Sequence, residues 1–116
     1  MRQTTLFEKR VEVDSSDAEK LVIRALGDFQ SRGKELAQRE LALDRLRGAL
    51  RRAADAMGVD ELKDDQIAAT LTRLGANVRP VPSFVAKHPY RITVPPDLAT
   101  LALKAYRDSV DTADTA

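Results

Sequence analysis

The sequence predicts an α+β fold: one long coiled-coil-like helix, two shorter helices and a small antiparallel sheet of about three strands. Three observations carry that expectation. Val22, Phe29, Leu36, Leu43, Leu50 and Met57 recur at intervals of seven residues without a miss, the repeat of one seam position in a coiled coil. Two further apolar segments are bounded by residues that start and stop helices, after Asp60 and after Pro96. Alternation of apolar and polar residues near the N-terminus and around Ile92 has the period of a half-buried strand.

Taken in order, residues 4–13, TTLFEKRVEV, place Phe7, Val11 and Val13 on one face of an extended chain. Glu8, Arg10 and Glu12 fall on the other, so a strand is expected over 5–13, with Lys9 the exception on its apolar face. Ser16, followed three residues later by Glu19, is a capping box that opens the long helix. No Pro and no strong stop intervenes before Gly58, giving a helix from 16 to 57. At 1.5 Å per residue such a helix is roughly 63 Å long, whereas a compact chain of this size has a radius of gyration of about 13–14 Å. It therefore projects in part from the domain, or folds back by breaking at Gly27, Gly33 or Gly48. Flanking the ladder are Gly33, Glu40 and Arg47 on one side and Arg32 and Arg39 on the other, so the apolar stripe is narrow in its middle.

Beyond Gly58, Asp60 is expected to cap a second helix of about 15 residues, with Leu62, Ile67, Leu71 and Leu74 inward and Gly75 as its stop. Pro80 and Pro82, at alternate positions, suit an edge strand over 77–86. Lys87, His88 and Pro89 read as a turn, and Tyr90, Ile92 and Val94 alternate with Arg91 and Thr93 in a strand over 90–95. Pro95, Pro96 and Asp97 open a third helix whose inner face is read as Leu98, Leu101, Ala102 and Ala105. Residues 1–110 are expected to form a single domain, and 111–116, small and polar, a disordered tail.

With 19 basic and 18 acidic residues the net charge is +1, so nothing global draws the chain to nucleic acid or to an anionic membrane. Absence of Cys excludes disulfides and thiolate chemistry. The first residues lack the apolar core of a signal peptide, and no apolar run approaches the roughly 18 residues of a membrane span; the expectation is a cytoplasmic protein. The single histidine, His88, has no second His and no Cys near it to build a metal site. Asp14 with Asp17 and Asp64 with Asp65 lie at helix starts, where capping accounts for them. No glycine-rich phosphate loop is present. These features point to no catalytic residue, no cofactor and no metal.

The functional expectation is a non-catalytic oligomerising interaction protein: an adaptor, assembly factor or regulatory subunit. Its ladder, Val22 to Met57, would form a homodimer seam, with a second protein as further partner. The rival is a small dimeric nucleic-acid-binding regulator that uses Arg45, Arg47, Arg51 and Arg52 as phosphate contacts. No aromatic residues interleave with those arginines, and Asp55, Asp60, Glu61, Asp64 and Asp65 follow close enough to satisfy them within the chain. After Gly75 the chain turns into a proline-punctuated strand where a helix-turn-helix would need a recognition helix; a hairpin carrying Arg79, Lys87 and Arg91 could still serve as a wing.

Overall fold

In a computed structural model, described for residues 15–81 and 90–115, with side chains described as far as 110, helix α1 (Ser15–Ser31) is the element on which the others assemble. It is followed by β1 (Leu41–Ala42), a 3₁₀ turn (Leu43–Leu46), α2 (Arg47–Met57) and α3 (Asp64–Arg73). The chain continues through β2 (Asn77–Pro80) and β3 (Tyr90–Thr93) into α4 (Pro96–Thr115). Ala18, Leu21, Val22, Ala25, Leu26 and Phe29 of α1 are all buried. Gly27 and Asp28 are buried as well, so burial extends beyond one apolar stripe, as α2, α3 and α4 all pack against this helix. Among the described residues, four α-helices with a small antiparallel sheet make this an α+β fold; the strand expected over 5–13 lies outside them.

The long helix of 16–57 is not formed; α1 and α2 are separate elements. Gly33, with φ of 85°, takes the left-handed conformation that ends helices. The last turn of α1 tightens ahead of it, the Arg32 and Gly33 N–H groups donating to the carbonyls of Phe29 and Gln30. The chain then runs irregularly to Leu36, which is buried, and to Gln38, whose φ of 61° is also left-handed and whose N–H donates to the Val94 carbonyl at 2.7 Å. A physical reason for the break lies in Leu41 and Leu43, both buried. In a helix, residues two apart point roughly 200° from each other. Burying both in one core therefore favours extended backbone, and β1 with its following 3₁₀ turn supplies it. The fold-back at Gly33 brings the two halves of the ladder into one core.

The sheet has the order β1-β3-β2 with antiparallel neighbours, and Ile92 of the central strand faces Leu41 on one side and Val78 on the other. Among the described strands β2 lies at an edge, which is where Pro80 can sit without removing a needed ladder bond. The turn residues and Pro82 lie outside the described residues.

Local stop signals behave as read. Gly58 caps α2 with φ of 70°, and Gly75 follows α3 with φ of 102°. The start of α3 differs: it begins at Asp64, not at Asp60, because Gln66 Oε1 accepts the Lys63 N–H at 2.8 Å and so closes the first turn there. Pro96 occupies the first position of α4, and that helix continues to Thr115, through residues expected to be tail; no Gly or Pro interrupts it.

Helix α4 runs antiparallel to α1. Gln30 Nε2 donates to the Ala99 carbonyl at 2.8 Å, Gly27 lies against Ala102, and Arg24 reaches Ser109. At Gly27 the backbones approach so closely that a methyl group would collide with the Ala102 carbonyl oxygen and with Cβ of Tyr106. That approach sets the rotation of α4. Leu98, Ala99 and Ala102 are buried, whereas Leu101 and Ala105, expected on the inner face, point outward.

Candidate interaction surface

The ladder positions end in two environments. Val22, Phe29, Leu36, Leu43 and Leu50 are buried in the chain's own core, on α1, in the irregular segment, in the 3₁₀ turn and on α2. Met57, at the end of α2, is only partly buried. The uninterrupted seam expected from the repeat is therefore an internal one as far as Leu50.

The arginine cluster is largely answered from within. Arg47 bridges Asp44 at 3.1 Å and Asp64 at 2.5 Å, Arg51 pairs with Glu61 at 3.4 Å, and Arg52 donates to both oxygens of Asp28 with a shortest contact of 2.6 Å. Asp28, only 5% exposed, also accepts from Arg32 Nε at 2.9 Å. Burial alone would raise its pKa, but hydrogen bonds and charge from Arg52 and Arg32 outweigh that effect and hold the carboxyl below its ordinary value. The same contact with Asp28 raises the pKa of Arg52, and Asp64 does so for Arg47. Arg45 is exposed beside Lys34, Arg39 and Glu40 at a polar depression of about 320 Å³. There Arg39 pairs with Glu35 and Glu40 with Arg79, while Arg45 makes no ion pair among the described residues. His88 and Lys87 lie outside the described residues, and no cluster of three or more metal-ligating side chains occurs among the described ones. No described helix is long and apolar enough to cross a membrane.

A trough of about 520 Å³ opens between α1 and α4, with Met57 at its side. Ile23, Met57, Leu101 and Ala105 form its apolar surface, and Lys20, Arg24 and Ser109 its polar margin. Leu101 is 53% exposed, the one large hydrophobic side chain so placed among the described residues. Arg24 is fixed at the margin by its hydrogen bond to the Ser109 hydroxyl and by its position 5.7 Å from the centre of the Tyr106 ring. Of this surface the sequence points to Met57, as a seam residue, and to Leu101 and Ala105, as core, but not to Lys20, Ile23, Arg24 or Ser109. Leu98, Leu101, Ala102 and Ala105 fall at the i, i+3, i+4, i+7 spacing of one apolar face, so the sequence of α4 carries no signal that Leu101 and Ala105 lie on its outward edge.

Comparison of the chain with protein families, with curated proteins and with solved structures gave no match.

Proposed function

We propose that this chain is a non-catalytic interaction protein that self-associates through the α1–α4 trough. The observation that carries the reading is Leu101, more than half exposed beside Ile23, Met57 and Ala105. Fully burying a leucine side chain gains about 1.5–3 kcal/mol and Leu101 has about half of that still to gain, so a partner surface that fills the trough has a defined source of affinity. The adaptor, assembly or regulatory role expected from the sequence belongs to this reading, with the contact moved from a long helix to a helix pair. The nucleic-acid alternative draws less support, since Arg47, Arg51 and Arg52 are engaged by acidic side chains of the same chain.

Light scattering across a dilution series tests the proposal. The wild-type protein is expected to be dimeric at high concentration, and Leu101→Asp monomeric throughout with an unchanged thermal unfolding curve. A wild-type protein that is monomeric at every concentration overturns it.

A further inference from the structure

We infer that the occupant of the trough is α4 of a second copy of this chain, docked antiparallel about a two-fold axis midway between Leu101 and Ala105. This rests on the trough reading above and adds the register and the charge pairs that fix it.

Asp97, Leu101, Ala105 and Ser109 succeed one another at four-residue spacing and so form one inclined row along α4. Two such rows laid antiparallel about that axis set Leu101 of each copy opposite Ala105 of the other. A large side chain then meets a small one and enters the space beside Ile23 and Met57, which line the same trough. Centring the axis on Leu101 would abut two leucines and leave the space over Ala105 unfilled.

The same register brings Asp97 of the second copy opposite Ser109. Ser109 is where the Arg24 guanidinium is held, and Lys20 lies one turn away on α1, on the same margin. Asp97 and Lys20 are both exposed, and among the described residues neither has an ion pair. Along this row the surface is thus acidic at the start of α4, apolar in its middle and basic at its far end, the flanking Lys104 and Asp108 being paired with each other. Reversed end for end, it is complementary to itself, which is what an isologous contact requires. A parallel arrangement would set Asp97 against Asp97 and Arg24 against Arg24, and like charges facing across a contact work against it.

Sedimentation equilibrium on the full chain, at low and moderate salt, separates this inference from the reading it builds on. Asp97→Lys is expected to weaken dimerisation by at least about tenfold, and Lys20→Asp with Arg24→Asp to do the same. Combining all three substitutions returns the dimer to near wild-type affinity, because each reversed charge again meets its opposite. Circular dichroism of each variant confirms that the fold is kept, and Asp97→Lys alone decides the matter if the α1 substitutions unfold the chain. A dimer abolished by Leu101→Asp but indifferent to Asp97→Lys, or charge reversals that do not rescue one another in folded proteins, overturns the register and leaves the trough reading standing. A wild-type monomer at every concentration overturns both.

Discussion

The contact between α1 and α4 is closed along one line and open along the next. On the closed line Gly27 admits the Ala102 backbone, Ala99 and Leu98 are buried, and Gln30 ties the two helices by a side-chain hydrogen bond. On the open line Ile23, Leu101 and Ala105 carry comparable apolar character, yet a trough remains between them. Composition does not separate the two lines; size does. A residue with no side chain lets the helix axes meet on one side, and the same approach turns the neighbouring stripe of α4 toward solvent.

Breaking the closed line has the largest expected effect. Gly27→Ala places a methyl group against backbone atoms of α4, which cannot step aside as a flexible side chain would. We expect a loss of about 3 kcal/mol, the upper range for overpacking a tight interior, read as a lower urea midpoint; an unchanged midpoint would mean that the helices do not meet there. The control is Gly48→Ala on α2. A methyl group there meets only the end of the Arg52 side chain at 3.4 Å, so the better helix propensity should raise stability by about 0.5–1 kcal/mol.

A second closed contact, between α1 and α2, rests on charge. Asp28→Asn keeps the shape but removes the carboxylate that Arg52 and Arg32 share, and hydrogen bonds to charged groups contribute about 1.5–3 kcal/mol. A loss of about 2 kcal/mol at neutral pH is expected, with pH dependence as the sharper readout. Because the folded pKa of Asp28 is depressed, the unfolded chain takes up a proton at this site first as pH falls. The contribution is complete above the unfolded value of about 3.9 and fades as pH falls through the folded one. Wild-type stability should therefore drop more steeply in acid than that of Asp28→Asn. Parallel acid limbs in the two proteins would remove the arginine clamp from the account of the fold.

What could be read in the sequence follows from how locally each feature is decided. Gly58 and Gly75 stop helices by their own backbone freedom, Pro96 opens one by its fixed φ, and alternation around Ile92 marks β3 as a strand. The long helix failed as a reading because the seven-residue spacing survives the loss of the helix. Phe29, Leu36 and Leu43 are each buried, but from three different backbone conformations. The narrow middle of the stripe, where Arg32, Arg39 and Glu40 flank the ladder, marks the segment that is not helical, and Leu41 beside Leu43 marks where it is extended. The trough was illegible for a different reason. Which stripe of α4 faces inward depends on the approach at Gly27, a contact between residues 75 positions apart in the chain, and no periodicity within α4 reports it.

The smallest expected change in stability is the most informative about the open line. Leu101→Asp puts a charge where the side chain is already more than half in water, so unfolding of the dilute monomer should shift by no more than about 0.5 kcal/mol, as for surface substitutions away from special features. Ala102→Asp, one residue along the same helix but wholly buried, should unfold the protein, since a carboxylate there has neither water nor a partner. Two adjacent positions with opposite outcomes would place the boundary between core and surface between them. If Leu101→Asp proved as damaging as Ala102→Asp in the dilute monomer, the outward stripe would belong to the core after all, and self-association would have to draw on another face.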